Sequence, residues 1–323
     1  MSVKMLLPAL ACAAALVACG GDDKSTGQGG GGSAPTKLKV GVIPIADVAP
    51  LYLGIEKGFF KEQNLEIEPK LAEGGAAIVP AVVSGTNQIG FSNTTSLLIA
   101  ASKGLPVQIL SQGDIGGTGD KDAPDALLVK KGSAISEPKD LEGKTIAVNT
   151  LNNVGPLTIN NALEKRGVDY KSVKYIEVPF PEAVAALEAD RVDAIWVVEP
   201  FQTAATNAGH KVLLHPFEEA APNFTVATYF TSKEFLAKDK DAANRFKRAI
   251  DRSLEYAQQH PEEVRKVVTT YTKIPKELAQ KMVLPQWGVD LHRDTIELTS
   301  RLALRYGLVE KQPDLDELIY RGD

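Results

Sequence analysis

Two acidic residues follow apolar runs of this 323-residue sequence, at positions where a carboxylate can contact a small molecule. Asp47 comes just after the run at residues 38–45, and Glu199 follows the run at 194–198 and precedes Pro200. A carboxylate accepts hydrogen bonds and pairs with cationic groups. Each residue also has a second interpretation, because an acidic side chain before a helix can simply cap it. The sequence leaves both roles open for Asp47 and for Glu199.

Four short turns add polar or small residues of the same kind. Asn, Ser and Thr offer hydrogen bonds, and glycine lets the backbone approach a ligand closely. Taken singly, each turn is explained at least as well by ordinary helix capping, but four of them together favour a binding site. The candidate ligand-binding residues in these turns, besides Asp47, are Gly74, Gly75, Ala76, Ser92, Asn93, Thr94, Thr95, Asn149, Thr150, Asn152 and Asn153.

Aromatic residues supply weaker candidates. Tyr52 and Phe180 can stack on a planar ligand or belong to the core. Asn223 and Tyr229 lie near a predicted return of the chain between lobes, and we include them as the weakest candidates. Trp196 lies within an apolar strand and is predicted to be a core residue.

The ligand class follows from the two carboxylates. If Asp47 and Glu199 both face one cleft, they favour a ligand with hydrogen-bond donors or a cationic nitrogen and repel a bare oxyanion. The sequence therefore predicts a small nitrogenous solute, such as an aminopyrimidine-like vitamin precursor. Binding of a taurine-type sulfonate or another oxyanion is the alternative. The ammonium group of taurine can meet a carboxylate while helix N-termini hold the sulfonate.

The elements that position these residues alternate between strand and helix. Strands are predicted at 38–45, 65–71, 88–92 and 107–110, and the same pattern restarts at 126–130, 144–148, 173–178, 194–198 and 211–214. Helices of similar length lie between most of them, which indicates α/β lobes with mixed, mainly parallel sheets. In such sheets, ligands bind beyond the carboxyl ends of the strands, where the four turns lie.

The predicted organisation is two lobes joined by two crossover strands. The first lobe comprises residues 37–125 and 230–323, and the second comprises residues 126–229. A hinge is expected at 126–129 and 226–231. Beyond residue 232 the sequence predicts helices at 241–259, 261–271, 275–284 and 294–306, several of which begin with Pro or an acidic residue.

The first residues indicate export and membrane attachment. Residues 1–18 combine Lys4 with a short apolar run, as in a bacterial secretory signal. Cys19 follows Leu-Val-Ala, which resembles a lipobox, so we expect lipidation at Cys19. Residues 19–36 are rich in Gly and polar residues and are predicted to be a flexible linker. The expected location is the periplasmic or extracellular face of the cell envelope.

Composition excludes several classes of function. The formal net charge of −5 argues against nucleic acid as a partner. Cys12 and Cys19 are the two cysteines, so the sequence beyond the linker has no thiol nucleophile. The four histidines have no spacing typical of a metal site. We therefore expect no cofactor, no metal and no enzymatic activity.

Four segments carry a resemblance to a known family. These are APLYLGIEKGFFKEQNLEIE, VVSGTNQIGFSNTTSLLIAASKGLPVQIL, DLEGKTIAVN and ALEADRVDAIWVVEPF. They resemble solute-binding proteins of ABC importers for sulfonates, nitrate and pyrimidine precursors, over nearly all of residues 37–320. The resemblance implies a type II-like periplasmic-binding fold, a monomer that holds one ligand in its cleft, and a permease partner. Two relatives of this fold, a pyrimidine synthase and a desulfinase, are enzymes that need cysteine in the folded domain.

Overall fold

A computed structural model describes residues 34–322 of the chain. The predicted signal segment 1–18, Cys19 and the predicted linker as far as residue 33 lie outside the described residues. The first strand begins at Thr36, one residue before the predicted start of the first lobe. Among residues 34–322, no helix is both long enough and apolar enough to cross a bilayer.

Ten strands form two five-stranded sheets of the same design. In chain order they are β1 (Thr36–Val42), β2 (Leu65–Leu71), β3 (Ile89–Asn93), β4 (Val107–Ile115), β5 (Asp125–Val129), β6 (Thr145–Val148), β7 (Lys174–Glu177), β8 (Ala194–Val198), β9 (Lys211–Leu214) and β10 (Thr225–Ser232). The first sheet has the order β2-β1-β3-β10-β4, and the second has the order β7-β6-β8-β5-β9. We call each sheet with its helices a lobe.

Both sheets are mixed. In the first lobe β1 pairs parallel with β2 and β3, whereas β10 runs antiparallel between β3 and β4. In the second lobe β6 pairs parallel with β7 and β8, and β5 runs antiparallel between β8 and β9. The antiparallel strand of each sheet is the one by which the chain enters that lobe from the other. The parallel strands end at one edge of each sheet, and these two edges face each other.

The helices follow the capping signals in the sequence. They are α1 (Ala49–Glu56), α2 (Phe59–Glu62), α3 (Gly75–Val83), α4 (Thr94–Ser102), α5 (Val154–Lys165), α6 (Phe180–Glu188), α7 (Phe201–Asn207), α8 (Pro216–Ala220), α9 (Lys233–Gln259), α10 (Pro261–Tyr271), α11 (Lys276–Ala279), α12 (Arg293–Arg305) and α13 (Leu315–Leu318). Ser232 caps α9 by accepting a hydrogen bond from Phe235 N at 3.1 Å. Such a bond satisfies an amide that has no partner within the helix.

The chain passes between the two sheets twice. It enters the second sheet through β5 and returns to the first sheet through β10. Residues 116–124 and 221–224 precede these two strands, and the predicted lobe bounds stay predictions. These segments pair with each other, since Gly116 N donates to Phe224 O at 2.9 Å. Residues 126–129 and 226–231 are buried within the two sheets, and a hinge at these segments stays a prediction.

A correction concerns the helical end of the chain. The predicted helix at 275–284 is only the short α11, and residues 280–292 have mainly irregular backbone. This segment packs against the first lobe, where Gln286 exchanges two backbone hydrogen bonds with Ile115, at 2.9 and 3.2 Å.

Candidate ligand-binding cleft

The facing edges of the two sheets enclose a small cavity. The first lobe contributes Ile43, Ile45, Asp47, Phe91, Asn93, Val226 and Ala227, and the second contributes Asn149, Asn153, Val154, Phe180, Trp196, Val198 and Phe217. Its volume of about 30 Å³ is room for about one water molecule. A mouth of about 180 Å³ adjoins it and shares the walls Ile43, Ile45 and Phe180. The lobes are therefore closed on each other, and an organic ligand requires the cavity walls to separate.

Asp47 is the acidic residue on the cavity wall. It lies in a single helical turn at residues 46–48, between β1 and α1, and is 3% exposed. Its Oδ2 atom has no hydrogen-bond partner. Burial raises the pKa of Asp47 to about 6, although a contact with the carboxyl group of Asp114 opposes the shift. A buried carboxylate oxygen without a partner is unfavourable by itself, because it has lost its water without gaining a donor.

Glu199 is just as buried, but both of its oxygens have partners. The Oε1 atom accepts hydrogen bonds from Thr203 Oγ1 at 2.7 Å and from Val283 N at 3.0 Å. The Oε2 atom accepts from Thr203 N at 3.1 Å, which caps α7. Of the two roles that the sequence left open, the structure shows capping, and Glu199 is not among the residues that line the cavity. Burial raises the pKa of Glu199 to about 7.

Glu199 also joins the lobes. It ends β8 of the second lobe, whereas Val283 belongs to the C-terminal segment that packs on the first lobe. Its backbone oxygen accepts a bond from Ala46 N at 2.9 Å, next to Asp47. The residue thus fixes the position of one lobe relative to the other in the closed form.

Three asparagines bring the predicted polar turns together at the cavity. Asn93 caps α4 by accepting a bond from Ser96 N at 2.9 Å, and Asn153 caps α5 through Val154 N at 2.6 Å. Asn153 Nδ2 donates to Asn149 Oδ1 at 2.6 Å, and Asn149 Nδ2 reaches Glu73 O of the other lobe at 3.3 Å. Capping and lining the cavity are therefore not alternatives here, because the same side chains do both.

The glycine turn closes against the facing lobe. A Cβ atom on Gly74 would lie 2.8 Å from Thr150 Cγ2 of the second lobe, and one on Gly75 would lie 2.2 Å from Ser92 Oγ. Both approaches are shorter than real Cβ contacts. Glycine is therefore required here for close packing, and Thr150 is its partner across the cleft.

The remaining predicted residues lie around the cavity without lining it. Ser92, Thr94 and Thr95 are fully buried, and Thr94 Oγ1 donates to Thr225 O at 3.2 Å within the first lobe. Ala76 is half-buried at the start of α3, and Asn152 is exposed, although its backbone oxygen accepts a bond from Ser96 Oγ at 3.1 Å. Asn223 lies in a crossover segment, where its N–H donates to Gly117 O at 3.4 Å.

The two predicted tyrosines lie behind the cavity wall, close to Asp47. Tyr229 is fully buried with an unpartnered hydroxyl, and its ring meets that of Phe91 at 5.3 Å. Tyr52 stacks on Tyr271 with the ring centroids 3.9 Å apart, so its ring is already occupied within the protein. Phe180 does line the cavity, together with Trp196, and their rings lie 5.7 Å apart.

Sequence reasoning missed Asp114 and assigned Trp196 to the core alone. Asp114 ends β4 opposite Ala227, and both of its carboxyl oxygens are buried without a partner. An acidic residue within the run Ser111-Gln112-Gly113-Asp114 is the available signal, but the predicted strand ends at residue 110, before Asp114. Trp196 is fully buried as predicted, and its indole N–H donates to Asp125 Oδ2 at 2.8 Å.

Comparisons with known proteins agree with this architecture. The family described as "NMT1/THI5 like" matches residues 45–264. The chain is 30% identical over 203 residues to the taurine-binding periplasmic protein of Escherichia coli. The matched region covers 61% of this chain and 60% of that protein. The chain is 23% identical over 227 residues to a 4-amino-5-hydroxymethyl-2-methylpyrimidine phosphate synthase of Candida albicans, or 66% and 64% of the two chains. The chain thus matches less than two thirds of the length of either relative.

A solved structure shows the fold. The alkanesulfonate-binding protein SsuA of Xanthomonas axonopodis pv. citri, bound to MOPS, superposes with a TM-score of 0.76 at 17% identity. The match covers 90% of this chain and 99% of that one. The two mixed sheets with facing edges therefore form a periplasmic-binding-protein fold, as the sequence predicted.

Proposed function

Because the chain belongs to the NMT1/THI5-like family and has a periplasmic-binding-protein fold, we propose that it binds a small nitrogenous solute between its lobes for an ABC importer. An aminopyrimidine-like molecule is the favoured ligand. One observation carries this choice, namely the buried Oδ2 atom of Asp47, which lies on the cavity wall with no donor. An N–H group of a ligand supplies the missing donor.

A taurine-type sulfonate is the second candidate, and the E. coli relative favours it. An ammonium group would pair with Asp47. The sulfonate would lie near the first turns of α4 and α5, whose amides carry partial positive charge. Asn93 and Asn153 line the cavity at these two helix starts. A bare oxyanion such as nitrate lacks the donor that Asp47 needs, so it is disfavoured.

An enzymatic role is less well supported. The pyrimidine synthase among the relatives gives it some weight, at 23% identity. The two cysteines of the sequence are Cys12 and Cys19, so residues 34–322 contain no thiol for the chemistry that the family resemblance implies for such enzymes. We propose binding without turnover.

Isothermal titration with matched pairs of molecules tests this proposal. Taurine is compared with ethanesulfonate, and a 4-aminopyrimidine with the corresponding pyrimidine, so that each pair differs in one nitrogen group. We expect saturable one-site binding of the amino compound of at least one pair, and no product by mass spectrometry. Asp47→Asn should weaken that binding, and Asp120→Asn, which removes an exposed charge, is the control. Equal binding within each pair would contradict a nitrogenous ligand, and turnover would favour the enzyme.

We further propose that the protein works outside the cytoplasm, held to the membrane by lipid on Cys19. Residue 19 follows an apolar segment and precedes a glycine-rich one, as expected of a lipidated cysteine with a linker. Cys19→Ser should leave ligand binding unchanged and release the protein into the soluble fraction. Retention of this variant on membranes after a salt wash would contradict lipid anchoring.

A further inference from the structure

Behind the cavity wall lies a cluster of acidic and phenolic groups that the proposed function does not yet explain. Asp47 reaches it from the turn after β1, and Asp114 from the end of β4. Tyr229 joins from β10, with its hydroxyl buried and unpartnered. As carboxylates, Asp47 Oδ2 and both oxygens of Asp114 have no donor at all. Two unpaired charges cannot both stay ionised in a site that is 0–3% exposed.

A single proton on one of the two carboxyl groups removes the repulsion between Asp47 and Asp114. The turn that carries Asp47 packs against β4, which carries Asp114, and a proton on one of the two carboxyl groups lets that group donate a hydrogen bond to the other. Burial and the neighbouring Asp47 charge raise the pKa of Asp114 well above its ordinary value. Asp47 is the member that lines the cavity. We therefore assign the proton to Asp114 and the negative charge to Asp47, which lies on the cavity wall.

We propose that Asp114 is a protonated positioning residue that donates a hydrogen bond to Asp47, so that the cleft presents a single negative charge and selects a singly charged cationic ligand group. This inference deepens the proposed function and rests on it. The pair keeps its one proton when the cation binds at the free oxygen of Asp47. A second proton competes with the cation for that oxygen, so binding is lost in acid.

The groups that face Asp47 fix the direction of this effect. Asp114 donates a hydrogen bond to Asp47. Burial, and to a smaller extent the charge of Asp47, raises the pKa of Glu199 and of the phenols Tyr229 and Tyr271. Each of these groups is an acid, and none supplies a compensating positive charge. With the pKa of Asp47 near about 6, affinity for a cation should fall about tenfold for each pH unit below that value.

Infrared spectroscopy of the ligand-free protein tests the proton directly. We expect a protonated-carboxyl carbonyl band at neutral pH in the wild type, and a difference spectrum in which Asp114→Asn loses the intensity of one such group while Asp120→Asn loses none, because Glu199 and Asp125 also contribute to the band. A neutral-pH spectrum without a band that depends on Asp114 would overturn the proposal. This measurement needs no ligand, so it decides the proposal even if no probe binds.

Titration with taurine and 4-aminopyrimidine tests the positioning role. Asp114→Asn keeps a donor towards Asp47 and should retain affinity within about threefold, with the acid loss of binding moved to lower pH. Asp114→Leu has similar size but no donor, and it should weaken binding tenfold or more and move the acid loss to higher pH. Equal loss in both variants would mean that Asp114 acts as a charge, which would overturn the proposal. If neither probe binds any form while the infrared band is present, the proposed ligand class fails and the shared proton stands.

Discussion

Asp47 and Glu199 both follow strands at the facing edges of the two sheets, and their surroundings are opposite. Each follows a parallel strand at the facing edge of its sheet, and each is almost fully buried. Glu199 accepts three hydrogen bonds from its own helix and from the other lobe. Asp47 has an oxygen with no donor, and it faces the cavity. The hydrogen bonds of Glu199 stabilise the closed structure, whereas Asp47 Oδ2 can still accept a hydrogen bond from a ligand.

This difference separates stability from binding. A carboxylate that the protein itself satisfies contributes to folding, and its loss leaves buried donors without partners. An unsatisfied one lowers stability until a ligand supplies the donor. The same type of residue at the same kind of strand end therefore has a structural role in one lobe and a proposed recognition role in the other. Four predictions test this contrast.

The largest expected effect is on stability, at Glu199. Glu199→Ala removes the acceptor of the Thr203 hydroxyl, of Thr203 N and of Val283 N, all of which are buried. At about 1 kcal/mol for each bond, the free energy of unfolding should fall by about 3 kcal/mol. Urea denaturation followed by circular dichroism measures it. Glu199→Gln keeps an acceptor oxygen for Thr203 Oγ1 and Val283 N and should lose only about 1 kcal/mol. Equal losses in both variants would contradict the capping role.

At Asp47 we expect a substitution to lower ligand affinity and not stability. Asp47→Asn removes a buried charge that no positive group compensates and keeps an amide oxygen that can accept from Asp114, so the free energy of unfolding should stay the same or rise. Affinity for the amino compound that binds should fall by about 1.5–3 kcal/mol, the worth of a hydrogen bond to a charged group. Denaturation and isothermal titration on the same preparation give both values. A loss of stability with unchanged affinity would make Asp47 a second structural carboxylate and remove the contrast.

The third test concerns closure itself, at Gly74. Its backbone is extended, so alanine is allowed there, but a Cβ atom would lie 2.8 Å from Thr150 Cγ2 in the other lobe. Gly74→Ala should therefore separate the lobes, weaken ligand binding by about 1–2 kcal/mol and leave the stability of each lobe unchanged. Small-angle scattering should show a larger radius of gyration.

Two variants control this experiment. Adding Thr150→Ser removes the Cγ2 atom and should restore closure. Gly119→Ala places a Cβ atom where nothing lies within 4 Å and should have no effect. If the double variant remains as open as Gly74→Ala, the contact with Thr150 does not control closure.

The sequence predicted the fold well because burial and helix capping are local signals. Apolar runs between helix-start signals located the strands of both sheets, and Asn93 and Asn153 stand at predicted helix starts. It did not predict that β5 and β10 each lie antiparallel between two strands of their sheets. Which strand an apolar run pairs with depends on long-range contacts, and composition does not encode them.

The candidate site was predictable only in outline. The asparagine turns and Asp47 were found because they follow strands, where ligands bind in such sheets. Asp114 was not, because nothing in its neighbours shows that β4 continues beyond residue 110 and brings its carboxyl group to Asp47. The choice between cap and cleft at Glu199 also required coordinates, since it depends on Val283, which is distant in sequence.

The effect that is smallest for each measured step is the dependence of stability on a single pH unit, to which both carboxylates contribute in the same direction. Burial raises the folded-state pKa of Asp47 to about 6 and of Glu199 to about 7, from 3.8 and 4.5. At a pH between the unfolded and the folded pKa of each group, the folded protein binds more protons than the unfolded chain. The stability that each group contributes is therefore fully present below its unfolded pKa and is lost as pH rises through its folded pKa. Exposed carboxylates with lowered pKa values, such as Asp140, act only at more acidic pH.

We therefore expect the free energy of unfolding to decrease by about 1 kcal/mol per pH unit for each group, between about pH 4 and 6 for Asp47 and between about pH 4.5 and 7 for Glu199. Urea denaturation across this range measures it. Asp47→Asn should flatten the lower part of the profile and Glu199→Gln the upper part. A profile that rises through this range would mean that the two carboxylates are ionised more readily in the folded protein, and the unsatisfied oxygen of Asp47 would then have a donor.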